Sequence, residues 1–305
     1  MRVISFEQAD HLLSWKEISQ ALLEGHQLSK ATIGDLLLQS EPNALLNRGA
    51  WIPELGMAMK SMSVFPENIN RTPPLPTING GVLLFDGQTG TVSAIIDGIL
   101  VTKWKTAGDS VLGAKLLANP NPKTHLMVGS GTVAKSIIEA YREMFPTIER
   151  FLIWSRTPEN AQRLAAQFDF SVECHGELET AISQADIITT ATMTKNPILK
   201  GKWIKPGTHV DLIGAFKPDM READDALLQQ AEVYVDSFET TIGHIGEIEI
   251  PLQTGALTRE DLLGDLYDLC NDRAKRSSKS AITVFKNGGG AHLDLMTSHY
   301  IASKI

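Results

Sequence analysis

The chain has only two cysteines in 305 residues, Cys174 and Cys270, which give neither a disulfide framework nor the paired spacing of a metal site. None of the eight histidines shows the spacing of a zinc-binding helix, and Cys174-His175 is an isolated pair, so no metal is expected. Basic excess is missing too. A formal charge of -8 argues against nucleic acid or an anionic membrane as partner. No apolar run reaches membrane-spanning length, since even SAIIDGILV is broken by Asp97. The opening MRVISFEQADHLLSW carries early acids and no long apolar core, so it does not read as a signal peptide, and a reduced cytoplasmic setting is expected. What remains, 43% hydrophobic and 21% charged, is ordinary for a globular chain long enough for two domains.

The most informative stretch present is His125-Leu-Met-Val-Gly-Ser-Gly-Thr-Val-Ala134, an apolar strand running into GSGTVA and then into a helix. Gly129 permits a tight turn, Gly131 lets the backbone approach phosphates, and the amides of Ser130, Thr132 and Val133 are placed to face a pyrophosphate. Taken alone, the pattern also fits an ordinary glycine turn. A helical run from Val133 to Met144 and a second strand, Arg150 to Trp154, then lead to Ser155, Arg156 and Thr157, where a ribose-reading acid would sit. No carboxylate is there. Hydroxyls and a cation suit a 2′-phosphate, so NADPH is the preferred cofactor, with NADH as the second choice.

Strands and helices continue to alternate beyond this point. Phe170 to Cys174, Asp186 to Ala191, Thr208 to Gly214 and Glu232 to Asp236 read as strands, with helices over Glu177 to Gln184 and Arg221 to Ala231. The expected fold is α/β, a Rossmann-type doubly wound parallel sheet over residues 120–290. Ligands of such sheets lie beyond the carboxyl ends of the strands, which makes Thr190, Ala191, Thr192 and Gly214 candidates for the cofactor cleft. Residues 1–119 differ in character: two amphipathic stretches, Glu7 to Leu23 and Lys30 to Leu38, precede short strands, prolines and a hairpin whose Asp86-Gly87 turn is expected to supply positive φ. Asp97-Gly98 reads as a further turn.

Several motifs then appear in a familiar order: Lys60-Ser-Met-Ser-Val-Phe-Pro66, Leu75-Pro-Thr77, Ile96-Asp-Gly98, Thr102-Lys-Trp-Lys-Thr-Ala107, GSGTVA, Trp154-Ser-Arg-Thr157, Pro206-Gly-Thr-His209, Ile213-Gly-Ala215 and Thr283-Val-Phe-Lys286. Across nearly its whole length the chain resembles the ornithine cyclodeaminase and mu-crystallin family. The resemblance implies a homodimer. It also implies an α+β substrate-binding and dimerisation domain formed by residues 1–119 with a returning helix at 291–305. Ornithine cyclodeaminases of this family carry an aspartate soon after the Ile-Gly-Ala strand; the matching residue here is Phe216, which cannot engage an amino group. Gly214 to Glu222 resembles the mu-crystallin version, and Lys105 stands where the family has arginine, losing a bidentate fork for a carboxylate.

The resemblance therefore implies reduction of a small cyclic imino acid, 1-pyrroline-2-carboxylate to L-proline, with 1-piperideine-2-carboxylate to L-pipecolate as the six-membered counterpart. Arg48 and Lys60 are candidates to hold the carboxylate, and Lys60 also to protonate the imine. Thr77 matches a family substrate contact. Lys105 and Thr106 lie on the segment that the family brings to substrate and cofactor, and His292 is a further pocket candidate. Each has a plainer reading: Arg48 in an exposed turn, Lys60 on a solvent-facing strand position, and Gly288-Gly289-Gly290 as either a flexible connection or a closing segment. Ornithine cyclisation, an alanine dehydrogenase activity and a non-enzymatic binding role remain as alternatives.

Overall fold

The computed structural model describes residues 1–305. It divides into two compact units, Met1–Lys105 with Gly290–Ile305, and Thr106–Gly289. The division falls at Lys105 and Thr106, earlier than the expected 119/120, because it lies within a continuous helix, Gly98–Leu117, and not in a linker.

The first unit is built on six strands: β1 (Arg2–Ile4), β2 (Thr32–Ser40), β3 (Asn43–Ile52), β4 (Gly56–Val64), β5 (Ile78–Phe85) and β6 (Val92–Asp97). Their order is β1-β6-β5-β4-β3-β2, antiparallel except for β1 on β6. β4 shows why the sheet has a covered face, since Ala58, Lys60 and Met62 are buried while Met59 is exposed, as period-two alternation requires. The helix Ala291–Ser303 packs on β3 and β4, and Trp15–Gln27 packs on it in turn. That contact is close. A Cβ on Gly25 would lie 2.6 Å from Met296 Sδ.

Three expectations for this half are corrected. Lys30 to Leu38 is not a second amphipathic element like Glu7 to Leu23 but lies mostly in edge strand β2, where Leu36-Leu-Leu38 satisfies no single period. The hairpin tip takes its positive φ at Gly90 (67°) and not at Gly87, because Asp86 Oδ1 gathers the amides of Gln88 and Thr89. Asp97 is a helix cap: its Oδ1 accepts from the amides of Ile99 and Leu100, each at 2.8 Å, starting Gly98–Leu117.

The second unit holds β7 (Thr124–Val128), β8 (Arg150–Trp154), β9 (Val172–Cys174), β10 (Ile187–Thr190), β11 (His209–Leu212), β12 (Glu232–Val235), β13 (Leu262–Gly264) and β14 (Thr283–Lys286). All eight are parallel, in the order β13-β12-β14-β11-β10-β7-β8-β9. This is the doubly wound α/β sheet expected from the alternation. The strand order reverses at β7 and β10, which is where a nucleotide crevice opens. The four-residue strands β10, β11 and β14 are fully buried, as parallel strands covered on both faces must be. The helix read as Arg221 to Ala231 begins only at Asp225, because the amides of Glu222 and Ala223 are taken by the Glu247 carboxylate.

Candidate active site

In the second unit, β7 ends at the glycine turn. Gly129 adopts φ 118°, and a Cβ there would lie 2.8 Å from the Ala191 carbonyl, so both conformation and space demand glycine. Its amide donates to the Trp154 carbonyl at 2.8 Å, and the Ser130 and Ser155 hydroxyls meet at 2.9 Å, tying the β7 turn to the end of β8. Gly131 has open space around its Cβ position, and Gly131 and Thr132 are exposed. The helix Thr132–Met144 has no side chain capping its first turn, so its leading amides remain for an anion. A cleft of about 510 Å³ beside this turn is lined by Ser130, Gly131, Thr132, Lys135, Asn160 and Arg163 among others. Arg156 and Thr157 are exposed at the end of β8, and Val133 and Ser155 are partly buried.

The strand ends opposite are fixed by a residue that the sequence reading did not single out. Glu222 Oε1 accepts from the amide and hydroxyl of Thr192 at 2.7 and 2.6 Å, and its Oε2 accepts from the amide of Gly214 at 2.6 Å. One carboxylate thus sets the spacing of the loops after β10 and β11. A Cβ on Gly214 would fall 1.9 Å from the Thr192 carbonyl, so nothing larger fits. Ala191 and Thr192 are partly exposed, whereas Thr190 is fully buried. Beneath Glu222 lies Glu247, whose carboxyl is pushed up to about 7 by burial and by the charge of Glu222. Burial also lowers the Lys286 ammonium, which donates to the Leu212 and Asn287 carbonyls at 2.8 and 2.9 Å.

The triglycine segment is not a free flap on this side. Asp236 Oδ2 accepts from the amides of Gly288, at 2.9 Å, and Gly289. Thr106 is held there as well, its carbonyl accepting from Asn287 Nδ2 at 3.1 Å.

In the first unit, Lys60 sits mid-strand on β4 and is 7% exposed, not solvent-facing. Its Nζ donates to Asp294 Oδ1 at 2.9 Å and to Thr102 Oγ1 at 2.7 Å. Arg48 lies on β3 directly opposite Lys60 and not in a turn; its Nε donates to Asp35 Oδ2 at 2.9 Å across β2. His292, two residues before Asp294 on its helix, is almost fully buried, and burial with the nearby charges of His26, Lys105, Lys30 and Arg48 holds its imidazole neutral. Arg48 and Lys60 are therefore neighbours on the covered face of the sheet, and the charges of Arg48 and Lys105 fall near the neutral His292. Thr77 stands apart. It precedes β5 by one residue, whereas Val82 is the residue facing Lys60, a separation of about 16 Å of extended chain.

An uncapped helix at the switch point of a parallel sheet is built to hold a dinucleotide, which places the protein among the Rossmann-type NAD(P)-dependent oxidoreductases. Residues 53–305 match the model of the ornithine cyclodeaminase/mu-crystallin family, and the chain belongs to that family. It is 50% identical over 303 residues to the Delta(1)-pyrroline-2-carboxylate reductase of Paracoccus denitrificans, covering 98% of this chain and 95% of the relative. The Thermococcus litoralis Delta(1)-pyrroline-2-carboxylate reductase in complex with NADH and L-proline has a similar structure, with TM-score 0.90 and 26% identity over 100% of this chain and 97% of that one. An archaeal alanine dehydrogenase dimer with bound NAD is similar at TM-score 0.90 and 26% identity, over 100% and 95%.

Proposed function

We propose that the protein reduces 1-pyrroline-2-carboxylate to L-proline, and the six-membered homologue to L-pipecolate. The observation that carries this reading is the buried lysine beside Arg48. Arg48 and Lys105 suit one small carboxylate, and Lys60 is the group that can pass a proton to an adjacent imine nitrogen. The cofactor residues fit a dinucleotide: Gly129 leaves no room for a Cβ, Gly131 leaves backbone open, and the helix start is bare. Ser130 to Val133 would hold its pyrophosphate, with Ser155, Arg156 and Thr157 at the adenosine ribose and Ala191, Thr192 and Gly214 toward the nicotinamide. When bound, a reduced nicotinamide supplies two electrons and a hydrogen to C2, and the C=N pair becomes a lone pair on nitrogen. The protein's own task is to hold the carboxylate, supply the proton and fix the ring in place.

Ornithine cyclisation is disfavoured because Phe216 is an exposed aromatic on the loop after β11, and Asp219 nearby is paired with Lys195 at 2.6 Å. Nicotinamide absorbance, followed with the cyclic imine, with pyruvate plus ammonia and beside an ornithine-loss assay, separates the readings. Oxidation of NADPH with the imine alone is expected. Ornithine loss without net oxidation would overturn the proposal.

Two further expectations follow from this reading. Arg156, with Lys135 and Arg163 lining the adjacent cleft, favours NADPH over NADH. Arg156→Ala should raise the KM for NADPH about tenfold and leave that for NADH nearly unchanged, the scale of one charge-assisted bond. The uncovered face of the first unit's sheet presents Leu36, Leu38, Trp51, Met59 and Leu83, all at least 37% exposed, an apolar patch suited to a second copy of the chain. Light scattering should report a dimer for the native protein and a monomer for Met59→Glu with Trp51→Glu.

A further inference from the structure

Lys60 carries three N–H donors, of which two are committed inside the protein. The Thr102 hydroxyl gives its own proton to the Gly98 carbonyl at 2.7 Å, so toward Lys60 it acts only as an acceptor. Asp294 meets Lys60 through Oδ1, and its Oδ2 has no hydrogen-bond partner. The pair thus retains one donor and one acceptor side by side, on groups whose side chains are 9% and 3% exposed. A buried ion pair of this kind is seldom kept for stability, because apolar residues of equal volume would serve as well or better.

A protonated cyclic imino acid presents the complementary edge. Its ring N–H and one carboxylate oxygen are joined through only C2 and the carboxyl carbon, which keeps them within about 3 Å of each other. Resting on the imine-reductase reading, we infer that Asp294 is a second catalytic residue: its Oδ2 accepts the N–H of the protonated ring nitrogen while Arg48 and Lys105 hold the carboxylate.

The proton balance supports this pairing. As Lys60 Nζ gives up a proton, the N–H bond of the iminium forms and the positive charge moves from the ammonium to the ring. Through this transfer Asp294 faces a cation, first the ammonium and then the iminium. The resulting iminium is held charged by the opposite charge beside it, which makes C2 electrophilic. Reduction then leaves a neutral amine that keeps this N–H; one proton from solvent makes it the ammonium of the product and another restores the Lys60 ammonium.

The test compares L-proline with cyclopentanecarboxylate, which has the same ring size and carboxylate but no nitrogen, by calorimetry on the full chain saturated with oxidised cofactor. The native protein should bind L-proline at least about a hundredfold more tightly, the scale of a buried charge-assisted bond. In Asp294→Asn that preference should fall below about tenfold, while affinity for cyclopentanecarboxylate and for the dinucleotide is kept. An unchanged ratio in the variant would overturn the assignment, as would equal binding of the two acids by the native protein, a result that needs no variant. Failure of the native protein to reduce the cyclic imine at all would instead defeat the functional reading on which the assignment rests.

Discussion

Lys60→Met should bind the dinucleotide with native affinity and turn over the cyclic imine at least about a thousandfold more slowly. The substitution removes the proton source, and general acid catalysis accounts for about 10²–10⁴ in rate. It also strands Asp294, which is 2% exposed, without its cation. Breaking one side of a buried pair costs about 3–5 kcal/mol, so the variant should also melt at a clearly lower temperature. Lys60→Met combined with Asp294→Asn separates the two effects. Neutralising the stranded carboxylate should recover much of the melting temperature and none of the turnover. Retention of near-native kcat in the single variant would remove Lys60 from the chemistry.

Glu222→Gln should weaken dinucleotide binding by about ten- to a hundredfold with the imine site intact. The native carboxylate accepts three bonds, two from Thr192 and one from Gly214. An amide has one oxygen, so its NH2 must face a backbone N–H at one of the two loops, and a buried donor left unmet costs about 1–3 kcal/mol. The loops after β10 and β11 should then separate, and the loss should appear in the calorimetric Kd for NADPH. Product binding to the cofactor-free protein should not change. Equal Kd values for variant and native protein would show that the clamp does not set the cleft.

The parallel sheet was legible because its signal is local: each buried strand is a short apolar run, and GSGTVA marks the crossing point within ten residues of sequence. β2 was not, since three consecutive leucines carry no period and the strand's identity comes from β3, which pairs with it from Thr32↔Trp51 to Ser40↔Asn43. In the candidate site, Arg48 and Lys60 could be named from motifs, but their direct opposition depends on strand register. Asp294 and Glu222 were missed for a related reason. An acid in a C-terminal helix looks like any solvated acid until the fold brings it to a lysine 234 residues away. The sequence leaves Gly288 to Gly290 open between a flexible connection and a closing segment for the same reason, since Asp236, far upstream, takes two of those amides.

The position of β14 bears on how the molecule is made. It lies in the sheet flanked by β11 and β12, both much earlier in the chain, and the helix bearing Asp294 follows it directly. On a ribosome, the dinucleotide sheet must wait with a gap at its middle until Lys286 has emerged, and the acid of the Lys60 pair arrives later still. Both halves of the chemistry are thus completed by the stretch from Thr283 to Asp294, so a nascent chain arrested before Thr283 should have no partial activity to misdirect.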